Sequence, residues 1–232
     1  MKSLLKLIRL ELRKNRISLF KGSLIAGLAI ILFMLLVVFT EIDDPGDFAT
    51  YADVFDGVHI FVKVVFLVFG SVLISKLVID EYKNNTIDLL FMYPIPRKKL
   101  MAAKLLIVSL FMLVTIFVSN VVVGAAMVGF NHYFVHAISG ELTTGQIGEQ
   151  LTISAVDAVY SAGIGLIPLF FGMRKKSVPA TIVSGVLIAG VLSSNFSGFK
   201  LDNQVGVSLI LSLIGIAVAY LSIRNIETQD VA

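Results

Sequence analysis

The longest apolar run in this chain extends from Leu100 to Val128 and carries a single charge, at Lys104. A helix needs about 20 apolar residues to cross the roughly 30 Å hydrocarbon core of a bilayer. Hydrophobic residues make up 57% of the 232 residues and charged residues 15%, against about 45–50% and about 25% in soluble domains. Because a soluble domain of this size has too little interior to bury so much apolar surface, the sequence predicts an integral membrane protein.

Five further apolar runs have lengths typical of membrane spans, and polar loops separate them. They predict an all-α integral membrane fold with six transmembrane helices, built as one domain over residues 1–232. The predicted spans are residues 17–40, 58–79, 100–128, 151–172, 177–194 and 204–223. Within the fourth span, Gly163, Gly165 and Pro168 predict a kink or a break.

The basic residues lie almost entirely on one side of this arrangement. All but two of the 19 Lys and Arg residues fall on the side that holds both chain ends, and the two exceptions are Lys63 and Lys200. Cytoplasmic loops carry an excess of Lys and Arg. The pattern therefore predicts a multi-pass cell-membrane protein whose N and C termini are both cytoplasmic.

Residues 1–16 are predicted to form an amphipathic helix before the first span. Its basic residues fall within about 80° of one another on a helical projection: Lys2, Lys6, Arg9, Arg13 and Arg16. A narrow basic stripe beside an apolar face is typical of an interfacial helix on a membrane surface. The alternative is that these residues are only the positive flank of the first span.

The loop after the first span, residues 41–56, carries six acidic residues and no Lys or Arg. Phe48, Tyr51 and Phe55 recur there at helical spacing, which favours a second interfacial helix on the outer side.

A polar and basic stretch, residues 80–104, separates the second and third spans and contains a short predicted helix over residues 86–93. Thr86 can cap its N-terminus, and Pro94 ends it because proline cannot donate a helical hydrogen bond. The apolar residues of the short helix share one face: Ile87, Leu90 and Phe91. A short amphipathic helix held between two spans is typical of an element that docks a partner.

This stretch resembles the loop between spans two and three of type-2 ABC transporter permeases. The family pattern is an acid, a Gly-Thr pair, a Leu-Leu pair, a Pro-x-Ser-Arg run and a Lys inside the next span. The matching residues here are Glu81, Asn85, Thr86, Leu89, Leu90, Pro94, Arg97 and Lys104. Asn85 replaces the usual Gly, whose left-handed conformation Asn tolerates, and Pro96 replaces the usual Ser.

In that family the loop is a coupling helix that sits in a cleft of an ATPase subunit. The resemblance implies that residues 80–99 form the coupling loop and that Glu81 caps or braces it, while Leu89, Leu90 and Phe91 fill the cleft. It implies as partners an ABC ATPase subunit, a second permease copy or a similar permease chain, and the lipid bilayer, but no nucleic acid. It also implies a location in a bacterial plasma membrane.

No stretch of the sequence reads GxxxxGK[ST], the phosphate-binding P-loop. We therefore expect ATP to be bound and hydrolysed by the partner subunit, and this chain to be a permease without enzymatic activity or a cofactor of its own. The spans carry almost no charge, which favours an amphipathic or lipophilic substrate. The resemblance implies export of a peptide, bacteriocin, antibiotic or lipid-like molecule, with a role in self-immunity or resistance. The alternative is an ATP-independent secondary transporter or channel.

Two ionisable residues, Lys63 and Asp157, fall within apolar spans, toward the outer ends. Charged residues inside a membrane are costly and often functional, and these two either pair with each other or reach the interface. His132 and His136 are four residues apart and, with Glu141, offer metal ligands. Because two His on an outer helical extension are more often surface residues, we predict no metal site.

Overall fold

The computed structural model describes residues 21–37, 50–83, 97–135, 143–196, 199–200 and 205–229. The helices are α1 (Lys21–Val37), α2 (Tyr51–Ile74), α3 (Asp80–Lys83), α4 (Arg97–Phe130), α5 (Thr144–Ile164), α6 (Pro168–Lys175), α7 (Val178–Ser193) and α8 (Val205–Gln229). Two π-helical turns, Ser75–Ile79 and Asn131–Val135, extend α2 and α4. Two-residue strands, Asn195–Phe196 and Phe199–Lys200, pair antiparallel between α7 and α8. The predicted interfacial helix over residues 1–16 lies outside the described residues.

Among the described residues, four helical stretches are long and apolar enough to cross a bilayer: Tyr51–Tyr82, Lys98–Tyr133, Thr144–Lys175 and Val205–Arg224. The two shorter apolar helices are α1 and α7. Lipid offers no hydrogen bonds to the backbone, and a helix satisfies its own. The predicted helical membrane fold is confirmed for the described residues apart from the small strand pair, while the count of six spans stays a prediction.

The second predicted span begins earlier than the sequence indicated. Thr50 caps α2: its side chain accepts from the backbone N–H of Asp53 at 3.4 Å, and the Asp53 carboxylate accepts from the N–H of Thr50 at 3.1 Å. This capping box satisfies two otherwise free donors. Tyr51 and Phe55 therefore belong to α2, and the prediction of a separate interfacial helix is wrong for residues from Tyr51 onward.

The third and fourth predicted spans also differ from the observed helices. The helix α4 begins at Arg97, three residues before the predicted start, and the π-helical turn carries it on to Val135. The fourth predicted span begins instead at Thr144, and it is broken between α5 and α6 by a turn over residues 165–167. Pro168 then starts α6, where its missing N–H removes no helical bond. The predicted kink or break is confirmed as a turn between two helices.

A two-residue connection joins α6 to α7. Lys176 ends α6 in the left-handed conformation, with φ of 46°, a region that costs a non-glycine residue roughly 1–2 kcal/mol. The backbone N–H groups of Lys176 and Ser177 both donate hydrogen bonds to the carbonyl of Gly172. The two helices consequently pack against each other.

The helix α2 lies at the centre of the packing and contacts α4, α5, α6 and α7. On a further side it meets α1, where the rings of Phe33 and Phe61 contact edge to face with centroids 4.9 Å apart. Met112 of α4 is fully buried, and a Cβ at either Gly70 or Gly165 would collide with its thioether. Small residues thus allow α4 to approach two neighbours closely.

A close helix crossing joins α5 to α8 at two glycines. A Cβ at Gly215 would collide with the carbonyl oxygen of Gly163, and a Cβ at Gly163 would collide with the hydroxyl of Ser212. Small residues of this kind allow membrane helices to approach closely, because dispersion contacts replace the hydrophobic effect between helices in lipid.

We predict that Gly215→Ala destabilises the protein by about 1–3 kcal/mol, because the added methyl group meets backbone that cannot move aside. The measurement is the thermal unfolding midpoint in detergent, followed by the helical circular-dichroism signal. Gly190→Ala in α7 is the matched control, since a Cβ there meets nothing within 4 Å and alanine favours a helix by up to about 1 kcal/mol. Equal midpoints for the two variants would contradict the close crossing.

Candidate coupling site and buried ion pairs

The two ends of the coupling loop lie in described helices, and its centre does not. Glu81 is in α3, at the end of the long second helical stretch, and Arg97 is the first residue of α4. The other residues predicted to couple to the ATPase lie outside the described residues: Asn85, Thr86, Leu89, Leu90, Phe91 and Pro94. Their roles stay predictions.

Lys104 lies two turns into α4, and its side chain links this helix to the end of the second helical stretch. Its side chain is only 3% exposed and forms an ion pair with the carboxylate of Glu81. Its Nζ also donates to the backbone carbonyl of Leu77 at 2.9 Å. An ammonium has three N–H donors and no acceptor, so a carboxylate and a carbonyl together are suitable partners.

The partner carbonyl belongs to the π-helical turn Ser75–Ile79. A π-helical turn inserts one residue relative to the regular helix and changes the direction of the backbone locally, and such turns are frequent at functional sites. Leu77, Val78 and Ile79 are all buried there. The turn therefore places the Leu77 carbonyl and, four residues further along the chain, the Glu81 carboxylate beside the same lysine.

Lys63 and Asp157 form the second buried ion pair. Lys63 is on α2 and Asp157 on α5, and their side chains are 5% and 12% exposed. The sequence left two alternatives, pairing or reaching the interface, and the structure brings the two side chains together inside the helix packing. Breaking a buried pair by removing one partner costs about 3–5 kcal/mol, because a charge is then left in the interior.

Further polar contacts join α2 to α5 and to the π-helical turn after α4, toward the end where α2 begins. One turn before Lys63, the Nε2 of His59 lies 3.0 Å from the Oε1 of Gln150 on α5. The amide nitrogen of Asn131 donates to the hydroxyl of Tyr51 at 2.9 Å. The sequence analysis missed these pairs. The spacing of His59 and Lys63, four residues apart, did indicate that both lie on one face of α2, but nothing in the sequence indicated Gln150 as a partner.

The histidines considered for a metal site are not brought together with a third ligand in the described part of the chain. His132 lies in the π-helical turn after α4 and contacts the Tyr133 ring, with centroids 5.1 Å apart. His136 and Glu141 lie outside the described residues. No group of three His, Cys, Asp or Glu that could hold a metal occurs among the described residues.

Comparison with known proteins finds a matching family and a similar protein, and both matches extend over most of the chain. A family model described as an ABC-2 family transporter protein matches residues 7–191, which include both buried ion pairs. An uncharacterized protein of Bacillus subtilis (strain 168), YcbO, is 44% identical over 228 residues, covering 97% of this chain and 100% of the relative. No solved structure matches the chain.

We predict that Lys63→Met and Asp157→Asn each destabilise the protein, by up to about 3–5 kcal/mol, and that the double variant loses less than the sum of the two. Each single change removes the partner of a buried charge, whereas the double change removes both charges. The measurement is the thermal unfolding midpoint of the four proteins in one lipid environment.

The control for this cycle is Lys76→Met, the same substitution at an exposed lysine of the same helical stretch. It should change stability by no more than about 0.5 kcal/mol. Additive losses in the Lys63 and Asp157 variants would contradict an energetic coupling between the two side chains.

Proposed function

The chain belongs to the ABC-2 family of transporter membrane proteins, and we propose that it is the permease subunit of an ATP-driven exporter. Several apolar helices and this family membership make it a multi-pass membrane protein. Permeases of this family act with an ABC ATPase. The sequence has no P-loop motif of its own, so the proposal assigns ATP binding and hydrolysis to that separate subunit.

The observation that carries the coupling role is the attachment of Lys104 to Glu81 and Leu77. The coupling loop connects two helices that are already joined at their ends by this buried contact. A displacement of the loop by the ATPase would therefore be transmitted to both helices as one unit. Glu81 and Lys104 brace the loop in this proposal, while Leu89, Leu90 and Phe91 occupy the ATPase cleft.

The distribution of charge supports cytoplasmic placement of this end. Four exposed basic residues lie near helix ends on the side of the coupling loop: Lys99, Arg174, Lys175 and Lys176. Arg224 is exposed at the end of the apolar stretch of α8. The opposite end carries Asp53, Asp56 and Glu149 on α2 and α5. Under the positive-inside rule, the basic end faces the cytoplasm, which agrees with cytoplasmic N and C termini.

The proposed substrate is amphipathic or lipophilic: a peptide, bacteriocin, antibiotic or lipid-like molecule. Among the described residues of the helices, the buried charges occur in two ion pairs, Lys63–Asp157 and Lys104–Glu81. A soluble ionic substrate would need further charges along its path, because an isolated ion is costly to remove from water.

Two copies of this chain, or this chain and a similar one, would form the path between them. A role in self-immunity or resistance fits such a substrate.

We predict that Leu90→Asp and Phe91→Asp abolish binding to the partner ABC ATPase, because each places a charge in an apolar contact. The measurement is co-purification of the two subunits from membranes after detergent extraction. The amount of permease in the membrane fraction should not change, since the coupling loop lies outside the predicted spans.

Leu90→Met is the matched control for this experiment. It keeps the apolar character and nearly the volume of the side chain, so the ATPase should still co-purify. Undiminished co-purification with Leu90→Asp and Phe91→Asp would contradict the assignment of this segment as the docking element.

A further inference from the structure

A cavity of about 370 Å³ lies between α2, α4 and α5, at the end of the packing where α2 begins. This volume is within the roughly 300–1,000 Å³ that is typical of small-molecule sites. Most of the lining is apolar, and its polar part comes from four residues: His59, Asn120, Gln150 and Ser154. Apolar walls with a few polar groups are the usual composition of a ligand site.

The side chain of Asn120 is the most informative group in this lining. The residue is 4% exposed, and neither its amide nitrogen nor its amide oxygen has a hydrogen-bond partner among the described residues. Buried polar side-chain atoms are nearly always hydrogen-bonded in folded proteins. The terminal torsion of asparagine is broad, so the amide can turn toward a molecule in the cavity at little cost.

His59 provides a second group of the same kind from a different helix. Its Nε2 is occupied by Gln150, whereas its Nδ1 is buried and has no partner within the described chain. Asn120 and His59 together offer at least one donor and one acceptor to a ligand. The nearest buried charges, Lys63 and Asp157, lie one turn farther along α2 and α5 and already form an ion pair. A neutral ligand therefore fits better than a charged one.

The surroundings of the cavity indicate how such a ligand would enter. Val121 and Ala125 of α4 and Leu151 of α5 line the cavity and are exposed, so the opening lies on an apolar outer surface that faces lipid or another apolar partner. Apolar side chains from a second copy of the chain would leave the Asn120 amide without a hydrogen bond. A lipophilic molecule with its own polar group satisfies both the walls and the amide.

We propose that this cavity binds a small, neutral, lipophilic molecule that carries a carboxamide or an equivalent donor–acceptor group. A carboxamide can donate to the oxygen of Asn120 and accept from its nitrogen at the same time, while its apolar part contacts the walls. The site does not depend on the proposed export function, because binding is a property of the isolated chain.

The test uses the full-length chain in phosphatidylcholine nanodiscs, with decanamide as the probe and methyl decanoate as its matched partner that lacks an N–H donor. Decanamide at ten times its dissociation constant should raise the unfolding midpoint by about 3–6 °C. Methyl decanoate should raise it less than half as much. The midpoint is followed by the helical circular-dichroism signal.

Three variants assign the effect to the cavity. Asn120→Leu should unfold at the same or a higher temperature without ligand, because a buried amide without partners is removed, and should lose the decanamide shift. Asn131→Leu is the matched control elsewhere on the same helical stretch: it removes an amide already bonded to Tyr51, so it should lower the midpoint and keep the shift. Ala125→Leu narrows the opening from an exposed position and should reduce the shift at least twofold.

Equal shifts with decanamide and methyl decanoate on the unmodified chain, or no shift with either, would overturn the proposal. A decanamide shift that persists in Asn120→Leu would do the same. If Asn120→Leu does not fold, Ala125→Leu decides the question, and a full shift in that variant rejects binding in this cavity.

Discussion

The buried ammonium of Lys104 needs partners, and this need determines how the helices are joined at the proposed cytoplasmic end of this permease. A charge that is almost removed from solvent must be paired and hydrogen-bonded, since an isolated buried ion is very costly. Its partners, Glu81 and the Leu77 carbonyl, come before the centre of the coupling loop in the sequence, whereas Lys104 comes after it. The two helices that the loop connects therefore cannot separate without leaving a charge unpaired. In the proposed coupling role, this contact would transmit a displacement of the loop to both helices.

The second helical stretch carries both buried lysine contacts and is therefore the element through which motion would spread. It meets α4 through Lys104 and α5 through the Lys63–Asp157 pair. The thioether of Met112 lies against both Gly70 and Gly165, so α4 packs closely on its neighbours there. The small cavity at the opposite end lies between the same helices, so a ligand there would contact each of them.

The sequence predicted the helical membrane class, the break near Pro168 and the family, because each depends on local composition or on a motif. It placed the start of α2 seven residues late, although Thr50 and Asp53 have the spacing of a capping box, because the acidic composition suggested a loop. It raised the Lys63–Asp157 pairing only as one of two alternatives, since spacing within one helix does not determine the rotation of another. Gln150 and Asn120 gave no signal, because their importance depends on what lies opposite them after packing.

The most direct test of the central claim is the ATPase rate of the reconstituted complex in nanodiscs, with the ATPase alone, with the unmodified permease and with Glu81→Gln. The account predicts that the unmodified permease forms a stable complex and changes the rate, and that Glu81→Gln still binds the ATPase but loses most of that change. Failure to form a complex, or a Glu81→Gln complex with the same rate as the unmodified one, would contradict coupling through the Glu81–Lys104 contact.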